Sequence, residues 1–138
     1  MTDERAAGSQ AQSWVNGVSA VTLVVEDLEA AREFYGRVFD LPPVFEDEDS
    51  AVYKFGELMV NLLKAPAAKE LIDPAPVAPP EAGARFQFTV LVDDVDAARA
   101  DLAARGVALL NGPIDRPWGI RTASFRDPGG HIWEITKW

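Results

Sequence analysis

A chain that states one strand-cap-helix unit twice has few ways to bury its apolar faces, and this chain does state it twice. Val21-Thr-Leu-Val-Val-Glu-Asp-Leu-Glu-Ala-Ala-Arg32 returns 67 positions later as Phe88-Thr-Val-Leu-Val-Asp-Asp-Val-Asp-Ala-Ala-Arg99. Thr22, Val25, Asp27, Ala30, Ala31 and Arg32 meet identical residues at Thr89, Val92, Asp94, Ala97, Ala98 and Arg99. In each copy a strand-length apolar run leads to an aspartate suited to cap a helix, Asp27 and Asp94. A helical stripe follows: Leu28, Ala31, Tyr35 and Val38 in the first copy, Val95, Ala98 and Leu102 in the second. Two copies are too few for a solenoid, so the expectation is two half-domains that bury a face against each other.

The 138 residues suit one compact domain, expected over 18–138. No apolar run approaches the ~20 residues of a membrane-spanning helix. Residues 1–17 are too polar for the apolar segment of a signal peptide and read as a mobile tail. With no cysteine, the chain has no disulfide, thiolate metal site or cysteine nucleophile, and a cytoplasmic location is the expectation. The formal charge of −9, with Lys and Arg scattered, excludes nucleic acid as the expected partner. Two uses of that charge stand: solubility alone, or attraction of a cationic ligand.

Leu41-Pro42-Pro43 halts the first helix, because proline lacks the amide donor and restrains its predecessor. Strands over 44–47, 51–55 and 58–63 fit a meander, with Asp47-Glu48-Asp49-Ser50 and Gly56-Glu57 as its turns. The acids at 46–49 lack the alternating ligands and the glycine of an EF-hand and read as a solvated turn. Pro66, Pro74, Pro76, Pro79 and Pro80 make 65–83 an expected extended connector between a first module at 18–64 and a second at 84–138. Its length also permits a lid. The second helix is expected to stop at Gly106 and a strand to resume over 107–110, with Asn111-Gly112-Pro113 turning the chain.

The second copy ends in Arg116-Pro-Trp-Gly-Ile-Arg-Thr-Ala-Ser-Phe-Arg-Asp-Pro-Gly-Gly-His-Ile-Trp-Glu134. Together with the duplicated strand-Asp-helix, this tract resembles the vicinal oxygen chelate superfamily of glyoxalases, extradiol dioxygenases and bleomycin-resistance proteins. Trp118, Gly119, Arg121, Arg126, Asp127 and Pro128 place it nearest in motif to the bleomycin-resistance members. The resemblance implies an α+β fold of two tandem βαβββ modules forming a cupped mixed sheet around a cavity, and a homodimer. Where such proteins hold a metal, it implies ligands on the first and fourth strands of each module.

Strand alternation turns Val21, Leu23 and Val25 toward the helix and Ala20, Thr22 and Val24 toward the cup, with Gln87, Thr89 and Leu91 repeating the second set. The resemblance puts the metal-ligand positions at Ala20, Asn61, Gln87 and Glu134. Alanine offers no donor, and Asn61 and Gln87 offer only neutral amide oxygens, whereas transition metals prefer imidazole, carboxylate or thiolate. No metal and no cofactor are therefore expected. His131 sits beside the Asp127-Pro-Gly-Gly130 turn, with strand parity opposite to Glu134, and reads as an exposed or hydrogen-bonded turn histidine.

The expected function is sequestration, without chemical change, of a small organic molecule such as an antibiotic or aromatic metabolite, with no membrane partner. The candidate ligand-binding residues are Thr22, Asn61, Gln87, Thr89, Trp118 and Glu134. Trp118 serves as a stacking wall or as a packing anchor, and Thr22 and Thr89 also suit strands on general grounds. Glu134 is a structural hydrogen-bond partner, an anchor for a ligand amine or a base. If the protein is an enzyme, a glyoxalase-like lyase or isomerase or a dioxygenase relative, Glu134 is the catalytic candidate. A diverged module with only an interaction role is the third reading. Trp133 and Trp138 read as packing or interface residues, and Tyr53, Phe55, Met59 and Phe125 as cavity or core.

Overall fold

The computed structural model describes residues 14–15, 17–84 and 87–138, so most of the expected tail lies outside the described residues. The chain runs β1 (Ala20–Val25), α1 (Leu28–Phe39), β2 (Phe45–Glu46), β3 (Ser50–Phe55) and β4 (Leu58–Lys64). A helix α2 (Ala65–Ile72) and a 3-10 turn (Pro80–Ala82) then lead into β5 (Gln87–Leu91), α3 (Val95–Ala104), β6 (Leu109–Asp115), β7 (Arg121–Arg126) and β8 (Ile132–Thr136). The first module forms a sheet ordered β1-β4-β3-β2 and the second a sheet ordered β5-β8-β7-β6. In each, the strand before the helix pairs parallel with the last strand and the remaining pairs are antiparallel. The repeat is thus a repeat of topology. The two sheets are not joined into one.

Both predicted caps form, with Asp27 accepting from the Ala30 amide at 3.0 Å and Asp94 from the Ala97 amide at 3.1 Å. Each satisfies one of the amides that a helix start leaves unpaired. Leu28, Ala31, Tyr35 and Val38 are buried, as are Val95 and Leu102, while Ala98 packs against the core half-buried. Leu23 and Val25 enter that core, and Thr22 on the alternate face of β1 is exposed. In β5, Phe88 and Val90 pack inward, and Gln87, Thr89 and Leu91 are exposed.

One core serves both modules. Phe34 and Phe39 of the first meet Phe125 of the second at ring separations of 6.3 and 6.1 Å, and Trp133 meets Tyr35, Phe39, Phe55 and Phe88. Trp133, Tyr53 and Phe125 are therefore core residues. Aromatic contacts of this kind add ~0.5–1.5 kcal/mol each beyond area burial. At the far ends of α1 and α3 the backbone carbonyls of Arg37 and Arg105 each accept from the other residue's guanidinium. A cation at a helix C-terminus satisfies a carbonyl and opposes the dipole. Among the described residues no helix is long and apolar enough to cross a membrane.

Two local expectations need correction. The connector is not extended throughout, because Ala65–Ile72 is helical. Pro66 falls in the first turn, where its missing amide hydrogen has no intrahelical partner to lose. Nor does Asn111-Gly112-Pro113 turn the chain. The strand starts at Leu109, not Val107, and runs through those residues, which are an irregularity in the β6–β7 register. Glycine and proline within an edge strand signal a bulge as readily as a turn, and here the bulge applies.

Candidate ligand-binding site

Sheet register secures the equivalence of the candidate polar residues. On β4, Asn61 stands opposite Thr22, and on β8, Glu134 stands opposite Thr89. Each repeated threonine hydrogen-bonds to its neighbour: Asn61 Nδ2 donates to Thr22 Oγ1 at 3.4 Å, and Thr89 Oγ1 donates to Glu134 Oε1 at 3.1 Å. Gln87 lies on the same face of β5 as Thr89, two residues earlier. The Oδ1 atom of Asn61 is buried and has no hydrogen-bond partner among the described residues.

The structure thus gathers Thr22 with Asn61, and Thr89 and Gln87 with Glu134, on two separate sheets. Among the described residues, Trp118 makes no hydrogen bond, ion pair or ring contact with them. Trp118 lies in the turn between β6 and β7, 69 % exposed. Trp138 is exposed as well.

The fold places Ala20 one step before Thr22 on the same face and leaves a methyl where a ligand would have to stand. Among the described residues no group of three His, Cys, Asp or Glu side chains converges. One methyl, two amides and one carboxylate already accepting from Thr89 do not fit a transition-metal site.

The acidic turn after β2 is also structural. Asp47 Oδ1 accepts from the amides of Asp49 and Ser50 and from the Ser50 hydroxyl, each at 2.9 Å. These bonds, the Asp49 amide foremost, hold its carboxyl below the usual carboxylate range. Arg32 clips the same turn to α1 through the Asp47 and Ser50 carbonyls.

His131 is a hydrogen-bonded turn residue. Its Nδ1 lies 2.9 Å from Asp127 Oδ1, and Asp127 also accepts from the amides of Gly129 and His131. The second carboxylate oxygen accepts from the buried Tyr35 hydroxyl at 2.8 Å, so one aspartate ties the last hairpin to the first module's helix. Tyr35 was legible as a core residue. Its hydroxyl partner was not, because nothing local marks a contact between residues 35 and 127.

A cavity of about 420 Å³ opens where the connector passes β1. Thr22, Val24 and Glu26 line it from the first module, residues 72, 76–80, 83 and 84 from the connector, and Arg126 and residues 129–131 from the last hairpin. Of the candidate ligand-binding residues, Thr22 alone lines it. Glu26 and Arg126 were missed, though the proline-rich connector was a signal for a covering segment.

The sequence pattern of the Glyoxalase/Bleomycin resistance protein/Dioxygenase superfamily matches residues 17–135. An uncharacterized protein of Bacillus subtilis, YraH, is 32% identical over 121 residues, covering 85% of this chain and 94% of that protein. A crystal structure of a glyoxalase/bleomycin resistance protein/dioxygenase from Nocardioides is similar with a TM-score of 0.82 and 25% identity, covering 100% of this chain and 93% of the other. That of a glyoxalase-related enzyme from Fulvimarina pelagi has a TM-score of 0.75 and 27% identity, covering 89% and 88%.

Proposed function

The chain belongs to the glyoxalase/bleomycin resistance protein/dioxygenase superfamily, and from that premise we propose that it binds a small organic molecule and releases it unchanged. The observation that carries this reading is the pair of repeat-related polar clusters, Thr22 with Asn61 and Thr89 with Glu134, at equivalent register on the two sheets. The exposed Thr22 and Thr89 hydroxyls give polar ligand groups hydrogen-bond partners at both positions. At the repeat-related position Glu134 offers a carboxylate, which suits an amine or another cationic group and agrees with the net charge of −9. The exposed indole of Trp118 suits an aromatic ring. The bound compound in this reading is an antibiotic or aromatic metabolite that is sequestered without metal.

A homodimer completes the proposal. The face of each sheet that carries Asn61 or Glu134 leaves Thr22, Gln87 and Thr89 exposed, and edge strands require cover. A second copy packing a sheet against that face encloses a ligand that a single exposed sheet holds weakly. Light scattering at micromolar concentration tests this, and a strict monomer overturns it.

Titration of flat aromatic and cationic natural products against tryptophan fluorescence, with mass spectrometry of the recovered compound, tests the function. Saturable quenching with unchanged compound supports sequestration. Turnover abolished by Glu134→Gln instead makes the protein a lyase or isomerase with Glu134 as its base.

A further inference from the structure

We propose that the cavity beneath the connector is a second binding site, for a small zwitterionic, peptide-like molecule with apolar side chains. This goes beyond the site on the sheet faces, with which it shares Thr22 alone, because Asn61, Gln87, Thr89 and Glu134 do not line it.

Three observations define the occupant. The first is the strand edge. Thr22, Leu23 and Val24 all line the cavity, although successive side chains point to opposite faces. Three consecutive residues therefore present their shared edge, and β1 is the outermost strand of its sheet. An open strand edge carries amides and carbonyls that an extended peptide group satisfies by adding alongside. The connector covers this edge without replacing it, since among the described residues no backbone hydrogen bond joins residues 76–84 to Thr22, Leu23 or Val24.

The second observation is charge. Among the described residues, the ionisable side chains in the lining are Glu26, Arg126 and His131. His131 is turned toward Asp127 through Nδ1. Glu26 and Arg126 take part in none of the ion pairs among the described residues, even with each other. One carboxylate and one guanidinium held apart at a single cavity match an ammonium and a carboxylate held apart on one ligand.

The third is the body of the cavity. Ile72, Val77, Ala78 and the prolines supply apolar walls, and about 420 Å³ falls within the range of small-molecule pockets. A dipeptide with two apolar side chains satisfies all three conditions. A purely apolar compound leaves the strand edge and both charges unused.

The test is titration of the full-length 15N-labelled protein with the unblocked dipeptide Val-Phe, with its N-acetyl form and with its C-terminal amide. The unblocked peptide is expected to shift the amides of residues 22–24 and 129–131 saturably. Blocking either end is expected to weaken binding about tenfold, as loss of one charge-assisted contact predicts. Glu26→Gln should abolish the difference between the unblocked and acetylated peptides, and Arg126→Gln the difference between the acid and the amide. Both side chains lie in exposed residues, so neither variant threatens the fold. Absence of saturable shifts at these residues, or binding indifferent to both variants, overturns the proposal. Shifts confined to residues 61, 87, 89 and 134 overturn it while supporting the site on the sheet faces. Failure of aromatic or cationic compounds to bind those faces leaves this result intact, so the two proposals fail separately.

Discussion

The Tyr35 hydroxyl, on the first module's helix, donates to the Asp127 carboxylate in the last hairpin at 2.8 Å, in a buried contact. Asp127 also accepts three bonds within its own turn, from two amides and the His131 ring. The aspartate therefore shapes the hairpin and joins the modules at once.

Tyr35→Phe is expected to cost about 1–3 kcal/mol at neutral pH, because it removes a donor from a buried carboxylate. It should also change the alkaline limb of stability. Burial first, then the charge and hydrogen bond of Asp127, raise the phenol's pKa far above its ordinary value. The folded protein keeps this proton where the unfolded chain releases it. The contribution is whole below about pH 10 and falls by ~1.4 kcal/mol per pH unit above it. Urea unfolding of both proteins at pH 8 and pH 11 checks this, and the variant should lose less stability between the two.

Gly112→Ala should be strongly destabilising. A Cβ there would lie 2.5 Å from the Thr122 carbonyl oxygen and 2.7 Å from the Ala123 Cα, and φ is +89°. Overpacking and backbone strain together are expected to cost about 2–5 kcal/mol. Gly119, at φ +99° with open space around its Cβ position, isolates the strain alone. Gly119→Ala should cost markedly less when thermal melts of the two variants are compared.

Glu134→Gln should leave the fold intact, because glutamine keeps an acceptor for the Thr89 hydroxyl. Cationic ligands of the sheet face should weaken about tenfold or more while neutral ones are unchanged, a split that calorimetry measures. Elemental analysis of protein purified without chelator should find no stoichiometric transition metal. A tightly held nickel, zinc, iron or manganese ion would overturn the reading of the donor set.

Trp118→Ala should alter melting stability by less than about 0.5 kcal/mol, as expected for a largely exposed side chain. If the indole stacks on the ligand, affinity should fall by about 1–3 kcal/mol. Unchanged affinity would leave Trp118 without a role in binding.

The local order of this protein was written in its sequence, because caps, stripes and strand alternation depend on residues a few positions apart. Asp27 and Asp94 cap, Thr22 and Thr89 face outward, and Gly106 ends the second helix in a left-handed conformation at φ +82°. The repeat announced the duplicated topology, in which Asn61 and Glu134 hold equivalent places opposite Thr22 and Thr89. Only the tertiary structure decided the rest. Pro66 starts a helix and Gly112-Pro113 stays within a strand, since one residue type suits both a turn and its alternative until the neighbouring elements choose. The Tyr35–Asp127 bond, the crossed caps of Arg37 and Arg105, and the cavity beneath the connector join residues far apart in the chain. No local pattern encodes such contacts, because packing the two modules on one core is what brings them together.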